Sequence, residues 1–224
     1  MKHIRLFESF EIVDPIKDGQ PLNNREINIL RGYNIMCPEF ILKDDNYYYV
    51  FNHRCENIKD LPFTYIHGVC SECNIENYTI NDDYTVDVRG NVFFYNSLSK
   101  IPLKFNIVSD SFYFSKNKLT TLKGSPKKVG GNFWCHGNKL TTLEGGPMNV
   151  GENFDCRNNG LTTLEGSPKK VGGNFNCSDN KLTTLEGGPE SVGGYFDCSR
   201  NLLSTLSGCP VGGYFKRSYN KLTS

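Results

Sequence analysis

Two groups of residues in this chain have side chains that could do chemistry. The first is Cys70-Ser71-Glu72-Cys73, with His53, Cys55 and His67 close by in sequence. Zinc takes Cys and His ligands at short spacings of this kind. Only one such pair is present, and its companions are irregularly placed. Cys55, His67, Cys70 and Cys73 are therefore weak metal candidates beside the simpler reading of packed thiols. The second group is Cys135, Cys156, Cys177 and Cys198, which recur at a fixed step. If they occupy equivalent strand positions, their side chains point the same way, about 4.7–4.9 Å apart. In an apolar core a cysteine is simply a small hydrophobe, so this column is read as packing.

Nucleophilic catalysis needs a Ser or Cys beside a positioned His and an orienting acid. His3, His53, His67 and His136 lie in no motif of that kind. The recurrent Gly-Gly pairs lack the Lys-Ser/Thr of a phosphate loop. The sequence thus predicts no catalytic residues and no cofactor.

The element that positions these cysteines is a repeat. Asn117, Asn138, Asn159, Asn180 and Asn201 follow one another at steps of 21 residues, and Asn220 follows after 19. Each begins the unit Asn-x-Leu-x-x-Leu-x-Gly-x-Pro-x-x-Val-Gly-Gly-x-Phe-x-Cys-x-x. A fixed period of this size predicts a solenoid in which each copy is one rung. The run Asn174-Phe175-Asn176-Cys177-Ser178 alternates inward and outward as a strand does. Phe133, Phe154, Phe175, Phe196 and Phe215 form one inner column, and the cysteines form a second. Leu119 to Leu203 and Leu122 to Leu206 form two more, and Val129 to Val211 closes the far side. The asparagines carry a donor and an acceptor to backbone groups that lose their ladder partners where the chain turns inward. Gly-x-Pro and Gly-Gly punctuate the return path: proline excludes regular helix there and glycine permits unusual dihedrals. The convex side is expected to be extended or turn-like.

This pattern resembles the leucine-rich repeats of the short bacterial type. Leu161-Thr162-Thr163-Leu164 and Asn180 fall in register with that motif, and Phe175 and Cys177 take its strand positions. The Val-Gly-Gly-x-Phe-x-Cys variant is also similar to a repeat of tailed-bacteriophage proteins. There it follows segments like Asn77–Asp83, Val86-Asp87-Val88 and Ile101-Pro102-Leu103-Lys104-Phe105. The start, Lys2 to Phe10, looks phage-like too. The resemblance covers about residues 77–224. It implies a protein that binds a bacterial host protein, defence proteins among them, in the cytoplasm of the host cell. Ubiquitin ligases with similar repeats carry a separate catalytic domain, and that activity is not carried over. The family hosts many partners, so its motifs specify fold rather than function.

Three regions follow. Residues 1–76 carry no repeat and read as a small α+β domain, with a helix from Leu22 to Gly32. A hairpin joins Phe40–Leu42 to Tyr47–Phe51, and a second helix lies around Thr64–Cys73. Residues 77–116 supply capping strands at Tyr78–Ile80 and Tyr84–Val88, then a degenerate rung starting near Val92 with Leu98, Ile101 and Val108. Residues 117–224 form a β-rich leucine-rich-repeat solenoid of parallel strands. At the far end Arg217 replaces the column cysteine and the pattern runs out without a polar cap. An uncapped end exposes an edge strand, so homo-oligomerisation through this edge is one expectation.

A net charge of +1 favours neither nucleic acid nor an anionic membrane. No apolar run of about 18 residues predicts a membrane span. The start, Met1 to Glu8, lacks the apolar region and cleavage site of a signal peptide. The nine cysteines then belong to a reducing compartment. Lys127-Lys128 and Lys169-Lys170 read as solvated convex-face charge. Function is left to the outward strand positions: Tyr113 and Ser115, Trp134 and His136, Asp155 and Arg157, Asn176 and Ser178, Tyr195 and Asp197, Tyr214 and Lys216. Trp, Tyr and Arg dominate interface energetics. The sequence therefore predicts a protein-binding stripe. The competing readings are an enzymatic or metal-dependent N-terminal domain targeted by the solenoid, and an assembly component using the far edge.

Overall fold

The computed structural model describes the backbone of residues 20–21, 41–44, 47–50, 53–55 and 61, and residues 62–95, 98–210 and 214–222 in full. The region expected to be helical from Leu22 to Gly32, the valine position 211 and most of the first 60 residues lie outside this description.

Four short strands, β1 (Gln20–Pro21), β2 (Ile41–Asp44), β3 (Tyr47–Val50) and β4 (His53–Cys55), form an antiparallel sheet in chain order. The expected hairpin is present: Ile41 pairs with Val50 and Asp44 with Tyr47. The expected helix, α1, spans Leu61–Glu72 and lies against β3 and β4. Its inner face, Tyr65, Ile66, Val69 and Cys70, joins the solenoid core, and the Tyr65 hydroxyl donates to the Pro102 carbonyl at 3.3 Å. Strands Tyr78–Ile80 and Val86–Val88 pair antiparallel and begin the next layer.

From there the chain is a parallel β-solenoid with a 21-residue period. Two seven-stranded sheets run along it. One is built on the phenylalanines, from Val92–Phe93 to Tyr214–Lys216, and is parallel throughout. The other is built on the valines, from the capping hairpin to Ser191–Val192. The extended return path expected from Gly and Pro is thus an ordered second sheet, because each Lys-Val or Asn-Val pair finds its equivalent one rung away.

Phe133, Phe154, Phe175 and Phe196 are buried and stack face to face, with ring centroids 5.1–5.2 Å apart along the column. The cysteine and leucine columns are equally buried except at Leu206, which is partly exposed, and Phe94 and Phe114 occupy the cysteine register in the first two rungs. Each buried Phe or Leu contributes roughly 1.5–3 kcal/mol. Phe215 departs from the expected column: it is 40% exposed and tilted by 50° from Phe196.

The asparagine column does what its position requires. Asn180 Oδ1 accepts from the Leu161 amide at 3.1 Å, and Nδ2 donates to the carbonyls of Cys156 and Cys177 at 3.1 Å each. Asn138, Asn159, Asn201 and Asn220 repeat this, each tying its own rung to the one before. A second ladder was not anticipated. Asn132, Asn153 and Asn174 pass hydrogen bonds rung to rung at 2.7–3.1 Å, ending on the Tyr195 amide.

The glycines divide by cause. Gly124, Gly145, Gly166, Gly187 and Gly208 of Gly-x-Pro adopt φ between 78 and 99°, which L-residues avoid. The first glycine after valine does not need its dihedral freedom, contrary to expectation. A Cβ on Gly151 would stand 1.9 Å from the Gly130 carbonyl oxygen, and one on Gly172 would stand 2.0 Å from that of Gly151. Rungs approach too closely there for any side chain.

Replacing Asn180 by Ala removes five hydrogen bonds, two accepted by Oδ1 and three donated by Nδ2, and strands buried backbone groups. The expected loss is about 3–5 kcal/mol by urea denaturation, whereas Thr183→Ala on the exposed turn stays within about 0.5 kcal/mol. Equal effects would contradict the ladder's role.

Candidate functional site

The outer face of the phenylalanine sheet presents two columns with free side chains. Register places Phe93, Tyr113, Trp134, Asp155, Asn176, Asp197 and Lys216 in the first. Tyr95, Ser115, His136, Arg157, Ser178 and Ser199 follow two residues later on each strand. Tyr195 and Tyr214 share this face but sit in a third column, that of the ladder asparagines. They are therefore one column over from the position the sequence assigned them. The cause is Val-Gly-Gly-Tyr-Phe, in which tyrosine replaces asparagine directly before the inner phenylalanine.

The structure brings the expected residues into three zones. At one end Phe93 stacks on Tyr113 with centroids 4.6 Å apart and planes 2° from parallel. Tyr95 stacks on Phe93 at 5.8 Å, and Trp134 meets Tyr113 edge to face at 4.9 Å. Trp134 is 38% exposed and Tyr95 68%. Sequence reasoning missed Phe93 and Tyr95. Their signal was alternation around the buried Phe94, as Tyr113 and Ser115 alternate around Phe114.

The centre is polar. Arg157 Nε lies 3.4 Å from Asp155 Oδ2, and the Arg157 amide donates to Asp155 Oδ1 at 3.1 Å. Burial raises the Asp155 carboxyl above its ordinary value, against the pull of Arg157. Burial likewise lowers His136, which Arg157 and Lys116 reinforce and Asp155 opposes. Both groups are half-buried although they stand on the outer face. Asn176 accepts from the Ser178 amide, and Asp197 from the Ser199 amide, at 3.0 Å. Ser178 stands on the outer face but is buried, not exposed as expected. At the other end Tyr195 lies 5.7 Å from Tyr214, and the Lys216 ammonium sits 4.6 Å over the Tyr195 ring.

Ser115, His136 and Asp155 fall on three successive rungs and have the residue types of a hydrolytic triad. They are not joined as one. Ser115 Oγ is buried without a hydrogen-bond partner, and Asp155 is engaged by Arg157. The Cys135 and Gly137 amides donate to the Asp155 and Arg157 carbonyls across the ladder, so they do not converge on an oxyanion position.

The thiols follow the packing reading. Cys135, Cys156 and Cys177 are fully buried, and desolvation pushes their pKa values well up. Cys156 and Cys198 sulfurs donate to carbonyls of the next rung at 3.4 Å. In α1, burial pushes Cys70 and Cys73 up to about 12, with their mutual repulsion adding to Cys70. His67 Nδ1 is hydrogen-bonded to the Tyr78 hydroxyl. Among the described residues no three His, Cys, Asp or Glu side chains are grouped to hold a metal. The Cys55 side chain lies outside that description. No helix among the described residues is long and apolar enough to cross a membrane.

Comparison with family models, curated proteins and solved structures finds no match to this chain.

Site-resolved thiol labelling of the native protein at neutral pH should modify the partly exposed Cys209 before Cys73 and spare Cys135, Cys156 and Cys177. Rapid labelling of Cys156 would contradict the burial. A thiol whose folded pKa is raised binds its proton more tightly folded than unfolded. Stability therefore holds below the ordinary thiol value of about 9 and declines as pH climbs from there towards about 12, measurable as a falling melting temperature.

Proposed function

We propose that this protein is a non-enzymatic protein-binding module. Its working surface is the outer face of the phenylalanine sheet. The observation that carries this reading is the array Tyr95, Phe93, Tyr113 and Trp134, which stacks across three rungs in contact with solvent. The core does not require it, because the inner columns are complete without these rings. Large exposed aromatics on the same face as an arginine are the composition of interface hot spots. A parallel solenoid also holds such a face rigid, so little ordering entropy opposes association.

The resemblance to tailed-phage repeat proteins directs the search for the partner to bacterial host proteins, defence proteins included. In that setting binding would block or redirect the host protein. The residues that engage it are Tyr113, Trp134, His136, Asp155 and Arg157, with Asn176 and Asp197 continuing the face towards Tyr195, Tyr214 and Lys216.

Affinity purification from bacterial lysate should recover a defined partner with the native chain. Combined Trp134→Ala and Arg157→Ala substitution should remove it while the melting temperature stays within a few degrees, since neither side chain is in the core. A partner retained in full by the double variant would overturn the reading.

A further inference from the structure

The charges around the candidate face are segregated. The amides of Lys139, Lys181 and Lys221 donate to leucine carbonyls one rung back, at 2.9 Å in each case. This fixes their column in register, with exposed lysines on alternate rungs and Gly160 and Leu202 between them. Lys116 stands beside them at the corner, next to Tyr113 and His136. The acidic groups on this side are offset by basic ones: Asp155 pairs with Arg157, Asp179 with Arg200 at 3.4 Å, and Asp197 stands in register with Lys216. What is left over is positive. Five residues further along the rungs the sign reverses. Glu144, Glu165 and Glu186 are exposed there, each amide held by a threonine hydroxyl two residues earlier, with Lys123 in the equivalent place one rung before them. The rungs thus present a basic flank beside the aromatic array and a separate acidic ridge.

We propose that the partner binds this face through an acidic segment with aromatic or aliphatic anchors. The segment runs along the solenoid, its apolar residues on the Phe93–Trp134 array and its carboxylates over Lys116, Lys139 and Lys181. The proposal rests on the protein-binding reading and adds the partner's chemistry to it. Two features favour a peptide over nucleic acid. The aromatic rings stack on each other across the rungs, so most present edges rather than open faces for bases to stack on. The ring edge is also the positive part of the quadrupole, which suits a carboxylate or carbonyl oxygen.

The test uses the full chain and a fluorescent peptide of alternating Glu and Phe, read by anisotropy. Controls are a Lys–Phe peptide of equal length and oligothymidylate. Saturable binding of the acidic peptide, weakened by added salt, is expected. Lys139→Glu with Lys181→Glu should weaken it about tenfold or more, with an unchanged melting temperature, and Lys139→Arg should preserve it. No binding of the acidic peptide, or tighter binding of either control, would overturn the proposal. So would concentration-dependent sedimentation abolished by the same reversals, which would assign the flank to the acidic ridge of a second copy. If lysate capture is lost with Trp134→Ala but untouched by the lysine reversals, the protein-binding reading stands and the acidic chemistry falls.

Discussion

Everything in this molecule depends on closing the turn that follows each inner strand. A solenoid rung must bend sharply there, and the bend takes backbone amides and carbonyls out of the sheet ladder while keeping them out of water. The buried side-chain amides of Asn117, Asn180 and Asn201 meet that need by reaching both ways: Oδ1 to the leucine amide of the preceding rung, Nδ2 to carbonyls of both rungs. Because every asparagine serves two rungs, the stack has no independent unit. Loss of one closure leaves polar groups unsatisfied on both sides of it, which is why rung stability is a neighbour property.

That closure sets the rung spacing, and the spacing then dictates the rest. Phenylalanines in the repeated column stack at 5.1–5.2 Å with near-parallel rings, packed to contact. The Val-Gly-Gly corner approaches its neighbour so closely that even a methyl group is excluded. Cysteine in the column after phenylalanine follows from the same geometry: Cys156 and Cys198 fill the narrow space and their thiols reach the next rung's carbonyls. In the first two rungs Phe94 and Phe114 stand in this column instead, where α1 and the capping strands widen the core.

The repeat was legible because its causes are local and recur. Burial and ladder bonding act identically on every copy, so one period shows in the chain. What could not be read were features set by contacts across rungs. The Asn132–Asn153–Asn174 ladder looked like a variable position, since serine precedes it and tyrosine follows it in the same column. Tyr195 and Tyr214 were misplaced for that reason: alternation alone does not say which of two outward columns a residue joins. Phe93 and Tyr95 were passed over because their rung departs from the repeat. The glycine after valine was credited with a special dihedral when the constraint is the carbonyl of the preceding rung, a contact absent from any single copy.

The same separation of local from cross-rung causes bears on function. Inner positions are constrained twice, by their own rung and by the stacks above and below. Outer positions are constrained only by register, so their residue types are free to follow an external demand. A surface shaped only by solubility would interleave charges and avoid adjacent aromatics. Here Tyr95, Phe93, Tyr113 and Trp134 lie in contact, Arg157 pairs with the half-buried Asp155, and exposed lysines stand along one flank. Stability does not explain aromatic rings left in contact with solvent beside a row of lysines. A ligand that meets the aromatic array and the lysine flank together does explain it. That is the physical ground for placing the function of this chain on the outward side of the phenylalanine sheet.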